Sequence, residues 1–116
     1  MKVLADKNTF TPDEERAVKE LTNSLKDLLG KQLVKLALFG SRARGDYDRE
    51  SDIDIAIIVR GLTRGLKDQI LNMVADIEFK HIVPLSTLVI SEEDFELLKK
   101  RERRIALDIE KEGAPL

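Results

Sequence analysis

Gly40-Ser41-Arg42-Ala43-Arg44-Gly45-Asp46, running on to Ser51-Asp52-Ile53-Asp54-Ile55, is the stretch that decides how this 116-residue chain folds. Ahead of it, residues 33–39 are a short, mostly apolar run rich in strand formers that ends abruptly at Gly40. After it, residues 53–59 are β-branched and almost wholly apolar, the pattern of a strand buried on both faces. Residues 40–51 between them are polar, charged and punctuated by glycine, a loop with room for one helical turn. So short a connection makes the two strands antiparallel neighbours. The end of the first then lies beside the start of the second, and Gly40-Ser41 meets Asp52 across the loop. Side chains on a strand repeat with period two, so Asp52 and Asp54 project from one face.

Two carboxylates side by side at the mouth of an apolar strand repel each other, and burying them is costly unless a cation or hydrogen-bond donors compensate. A hard divalent ion held by oxygen is the simplest compensator. Gly40 lets the backbone approach a bulky ligand. Ser41 offers a hydroxyl and an N–H suited to a phosphate oxygen, and Arg42 and Arg44 stand where they can neutralise charge on a triphosphate. Phosphate on one side and carboxylates on the other are the two halves of a metal-bridged phosphoryl or nucleotidyl transfer site. Taken singly, each feature has a plainer reading: a D-x-D pair is usually solvated charge, Gly-Ser after a strand is usually a turn, and most arginines are surface residues. The start-of-strand context is what sets this pair apart.

Working outward, Thr11-Pro12-Asp13-Glu14 is a capping box with proline at the first helical position. The stripe Val18, Leu21, Leu25, Leu28, Leu29 predicts an amphipathic helix over 12–29, with Gly30 as its stop. Helical spacing returns over 64–79 through Leu66, Ile70, Met73, Val74 and Ile77. A third strand is expected over 82–90, with Pro84 marking an edge or irregular entry. Ser91-Glu92-Glu93-Asp94 starts a last helix carrying Phe95, Leu98, Ile105 and Ile109 to about residue 112, either continuous or broken near Arg101. The tail 113–116 then ends it. The order α-β-loop-β-α-β-α, with a crossover helix between strands two and three, gives an α/β (α+β) class: a small mixed β-sheet flanked by helices. The length fits one domain over residues 1–116.

Composition excludes several alternatives. With no cysteine and one histidine, neither a disulfide framework nor a thiolate or His-rich zinc centre is open, so any metal is held by oxygen. Twenty basic against 22 acidic residues give a net charge of −2, which argues against direct nucleic-acid binding. Residues 1–10 lack an apolar signal segment and no run is apolar enough to span a bilayer, so no membrane and a cytoplasmic location are expected. Two rival motifs fail. The glycines at 40 and 45 have P-loop spacing, but Asp46 and Tyr47 replace the Lys and Ser/Thr. Asp46-Tyr47-Asp48-Arg49-Glu50 opens like an EF-hand, but Ser51 replaces the turn glycine and Ile57 the bidentate Glu.

Gly40-Ser41, ten intervening residues and Asp52-Ile53-Asp54 match without a gap the G-S-x10-D-x-D pattern of the DNA polymerase β-like nucleotidyltransferase superfamily. The fuller string, Gly-Ser-Arg-Ala-Arg-Gly-Asp ending in Glu-Ser-Asp-Ile-Asp, resembles the minimal nucleotidyltransferase branch, which includes antitoxins paired with HEPN-type toxins. The resemblance spans most of the chain, from about Val18 to Ile90, and implies the polymerase β-like core. It implies that Asp52 and Asp54 bind Mg²⁺ (two ions are possible) and are the catalytic pair. It also implies that Gly40 and Ser41 hold the β/γ-phosphates of the substrate ATP, with Arg42 and Arg44 completing the nucleotide site. AMP passes to an acceptor hydroxyl, in the toxin-paired branch a tyrosine of a helical partner protein.

One departure stands out. The superfamily usually carries a third carboxylate on the third strand; here Pro84-Leu85-Ser86-Thr87-Leu88-Val89-Ile90 has none, and register counting puts Thr87 in that place. Asp76, Glu78 and Glu92 are the candidate substitutes. Three hypotheses follow: an adenylyltransferase acting on a partner protein as its antitoxin, a nucleotide-binding antitoxin that neutralises its partner by contact alone, or transfer to a small molecule or RNA. Outside the motif, His81 reads as a solvated or capping histidine, Tyr47 as a loop aromatic, and Lys99-Lys100-Arg101 with Arg103-Arg104 as a solvated face paired with Glu102 and Asp108.

Overall fold

The computed structural model describes residues 10–45 and 52–116. Helix α1 (Pro12–Leu29) begins on the expected capping box: Glu14 N–H donates to Thr11 Oγ1 at 3.2 Å, and Thr11 N–H donates to Glu14 Oε1 at 3.0 Å. The predicted stripe turns inward, with Val18, Leu21, Leu25 and Leu29 buried. Gly30, at φ 51°, ends the helix. Strand β1 (Leu33–Phe39) follows, then the single turn α2 (Ser41–Arg44), and β2 (Ile53–Val59). Helix α3 (Arg64–His81) crosses over to β3 (Leu85–Ser91). Two short helices, α4 (Glu92–Lys100) and α5 (Arg104–Glu112), lead to a two-residue strand β4 (Ala114–Pro115).

The described residues form a mixed sheet in the order β3-β2-β1-β4. β1 and β2 are antiparallel, and β2 and β3 parallel, as the connection lengths require. Side-chain alternation on β2 then divides the core. Ile53, Ile55, Ile57 and Val59 pack under α1 and α3 together with Leu36 and Leu38. Ala56 and Ile58 face the opposite way, onto Phe95, Ala106 and Ile109 of α4 and α5. Asp54 belongs by period to this second face, at its open end.

Three boundaries differ from the expectation. α3 runs to His81, and β3 begins at Leu85 rather than at 82. Ile82 adopts the left-handed conformation (φ 53°, ψ 48°) that closes the helix, Val83 N–H donates to the Glu78 carbonyl, and Pro84 has no N–H to give a ladder. The last helical segment, by contrast, takes the broken form of the two expected: two helices meet where Glu102 takes φ 53° and Arg103 N–H donates to the Leu98 carbonyl. The tail does more than stop α5: Ala114 and Pro115 pair with Leu38 and Ala37, extending the sheet at the edge where a proline is tolerated.

Candidate active site

The β1–β2 register sets Phe39 opposite Asp54, so the chain leaves β1 at Gly40 against the carboxylate that opens β2. Gly40 sits at φ 77°, and a Cβ built on it would lie 2.4 Å from Asp54 Oδ2. Only a residue without a side chain allows that approach. The turn continues as α2, closed by hydrogen bonds from Arg44 N–H to Gly40 O (3.2 Å) and from Gly45 N–H to Ser41 O (2.9 Å), with Gly45 left-handed at φ 85°. Gly40, Ser41, Asp52 and Asp54 therefore come together at one end of the sheet, as the loop geometry requires. Asp52 is exposed, immediately before β2; Asp54 is half-buried.

Burial pushes the Asp54 carboxyl above the ordinary carboxylate range. The Ser86 hydroxyl, hydrogen-bonded to it, acts in the opposite direction; the Asp52 charge adds to the rise and Arg44 offsets it. A half-buried carboxylate with a second one beside it is what a divalent cation compensates. Mg²⁺ typically takes one or two protein carboxylates and completes its shell with substrate phosphates and water, so an Asp52/Asp54 pair suffices for it. Among the described residues, no group of three or more His, Cys, Asp or Glu side chains gathers in metal-binding geometry.

The residue beside Asp54 on β3 is Ser86, not Thr87. The parallel register pairs Asp54 with Ser86 and Ile55 with Thr87, which turns Thr87 to the opposite face. A register count begun at residue 82 is displaced because the strand starts only after the Ile82–Pro84 corner, and a single step exchanges the two faces. The candidate substitute acids are engaged elsewhere. Glu78 accepts the Leu85 N–H at 2.8 Å, and Glu92 bonds Arg60 at 2.9 and 3.3 Å. Glu92 follows Ser91, which pairs with Val59, at the far end of the strands from Asp54. Asp76 is exposed on α3.

The two arginines part company. Arg42 is 4% exposed and turns away from the carboxylates toward α1. Its two terminal nitrogens donate to the two Glu14 oxygens at 2.8 and 3.0 Å. That fork holds the Glu14 carboxyl below its usual range, and the expected direct contact of Arg42 with a triphosphate meets a guanidinium already committed within the fold. Arg44 is exposed, reaches Glu112 at 3.3 Å, and is near enough to Asp54 to lower its pKa. Glu14 carried no site signal in the sequence beyond its capping-box position, and Ser86 only the general pattern of its strand.

The remaining candidates lie outside this cluster. Tyr47, with residues 46–51, falls outside the described residues. His81 Nε2 is 2.8 Å from Glu20 Oε1, an oxygen that also bonds Lys80, so the histidine links α3 to α1. Lys99 pairs with Glu96 and Glu110 and sits over the Phe95 ring, rather than with Glu102 or Asp108.

Comparisons with known proteins agree with the fold that carries this cluster. Residues 18–113 match the nucleotidyltransferase domain family, and the chain belongs to it. Two proteins of Methanocaldococcus jannaschii, both provisionally assigned as protein adenylyltransferases, are similar to it. One is 41% identical over 75 residues, covering 65% of this chain and 59% of the relative. The other is 34% identical over 73 residues, covering 62% of this chain and 74% of the relative. The match thus spans about three fifths of the first relative's length. A crystal structure from Sulfolobus solfataricus, provisionally assigned as a nucleotidyltransferase, superposes with a TM-score of 0.51 at 27% identity, over 74% of this chain and 70% of that one. Among the described residues, no helix is long and apolar enough to cross a membrane.

Proposed function

We propose that the chain transfers AMP from Mg-ATP to a hydroxyl of a partner protein. The observation that carries this reading is the close packing of the Gly40 backbone on the Asp54 carboxylate, which sets the Gly40-Ser41 turn directly beside the carboxylate pair. Asp52 and Asp54 would hold Mg²⁺, and Gly40-Ser41 the triphosphate. The ion, when bound, neutralises the phosphates and the departing pyrophosphate. The acceptor oxygen forms a bond to the α-phosphorus, the bond from that phosphorus to the bridging oxygen breaks, and pyrophosphate leaves with the electron pair. Ser86 does not take up a proton at neutral pH, so the acceptor's proton leaves to water.

Three observations favour a protein acceptor, with a tyrosine of a helical HEPN-type partner as the specific form and an antitoxin role for this chain. The motif string resembles that branch, and relatives carry the protein adenylyltransferase assignment. In addition, Phe79 and Ile82 are 82% and 80% exposed at the end of the sheet that carries Asp52 and Asp54, an apolar surface suited to another polypeptide. Ser86 in the usual place of an acid supports a second reading, in which the chain binds Mg-ATP and neutralises its partner by contact alone.

Incubating the chain with its neighbour-encoded partner, α-labelled ATP and Mg²⁺ separates the two. Label on the partner, lost with Asp52→Asn, supports transfer. Undiminished inhibition by that variant with no label at all supports the binder, and label appearing without any protein partner points to a small-molecule or RNA acceptor.

A further inference from the structure

Arg42 looks like a phosphate ligand in the sequence and behaves like a strut in the structure. The geometry points to Glu14 as a positioning residue of the nucleotide site, acting through Arg42, an inference that rests on the nucleotide-binding reading of Gly40-Ser41. Glu14 is itself fixed twice. Its backbone N–H is held by Thr11 Oγ1, and its Oε1 accepts the Thr11 N–H at 3.0 Å. Its two oxygens then take both terminal nitrogens of Arg42 at 2.8 and 3.0 Å, in a setting where the two side chains are 15% and 3% exposed.

A two-point fork of this kind fixes the orientation as well as the position of the guanidinium. Arg42 is the next residue after Ser41, and Gly40 in turn abuts Asp54. An unbroken chain of contacts therefore runs from the first turn of α1, through Glu14 and Arg42, to the Gly-Ser turn and the carboxylate. The turn needs that support. One four-residue helical turn is far below the length that is stable by itself, so α2 takes its shape from what it is tied to. Swinging Arg42 out to a phosphate would leave the Glu14 carboxylate part-buried without its main counter-charge. Arg42 is thus the coupling element and Glu14 the anchor, and neither touches the nucleotide.

The test compares Glu14→Gln, Arg42→Ala and the paired replacement Glu14→Leu/Arg42→Met, which removes both charges while keeping side-chain volume. Mg-ATP affinity is read by calorimetry, and amide hydrogen exchange is followed over residues 41–45. The positioning role expects each variant to bind Mg-ATP about tenfold more weakly, the scale seen when an outer-shell partner of a site is removed. It also expects the effects of the two single changes to be non-additive, and exchange to rise in the 41–45 turn but not in β2. The paired variant takes the place of Arg42→Ala should that single variant fail to fold. Two results would overturn the inference: normal affinity and normal exchange in the folded paired variant, or strong loss in Arg42→Ala with unchanged or tighter binding in Glu14→Gln, the signature of a direct ligand. Should the wild-type chain bind no Mg-ATP, the nucleotide reading fails instead, and the exchange data alone decide whether Glu14 holds the turn.

Discussion

Gly40 is packed so closely on Asp54 that any side chain at position 40 would collide with the carboxylate: a Cβ placed there would lie 2.4 Å from Oδ2. Gly40→Ala therefore has two effects. It strains a backbone at φ 77°, costing about 1 kcal/mol, and it displaces Asp54. The expected outcome is a folded protein, melting a few degrees lower, whose labelled-AMP transfer falls about 100-fold, the penalty typical of a misplaced reacting group.

Asp54→Asn separates the cost of the carboxylate from its use. Burial and the Asp52 charge both disfavour the ionised form, so without divalent metal the variant should melt at or above the wild-type temperature at neutral pH. Adding Mg²⁺ and ATP should stabilise the wild type and leave Asp54→Asn unmoved, as read by thermal shift.

Ser86→Asp places a third carboxylate beside Asp54. It should lower metal-free stability, because the new charge repels the neighbouring Asp54 carboxylate, and tighten Mg²⁺ binding. Thr87→Asp, one residue on, points to the face of Ile55 under α1 and α3, so it should destabilise with no gain in metal affinity. Denaturant titration with and without Mg²⁺ distinguishes them, and equal behaviour of the two variants would contradict the register.

The Glu14–Arg42 fork has a pH signature. Because the folded-state pKa of Glu14 lies below its ordinary value of 4.5, the carboxylate stabilises the fold above that value and loses this contribution as pH falls through the lowered folded pKa. The stability gap between wild type and Glu14→Gln should accordingly be widest near neutrality and close under acid, in urea melts run from pH 7 to pH 3.

Ile82 holds a β-branched side chain, 80% exposed, at φ 53°. Ile82→Gly relieves that strain with little packing lost and should raise stability by about 1 kcal/mol. If the Phe79–Ile82 surface receives the partner, the same change weakens capture of the partner, a loss readable by pull-down with the purified pair.

Much of the architecture was legible in local pattern. The capping box and stripe of α1, the runs of β1 and β2, and the short and long connections set both strand pairings, because each rests on periodicity or chain reach. The meeting of Gly40-Ser41 with Asp52 and Asp54 followed from the same antiparallel register. What local pattern could not carry was anything settled by a distant partner or by a one-residue phase. The start of β3 depended on Ile82 accepting a left-handed corner, and that corner alone made Ser86 rather than Thr87 the neighbour of Asp54. Ala114 and Pro115 became a strand only because the edge of β1 was open to them. Arg42 and Arg44, two residues apart on one turn, look alike in sequence. Tertiary packing gave the first to Glu14, 28 positions earlier, and left the second near the carboxylates, because the direction a side chain leaves a helical turn is set by the surface that turn is packed against.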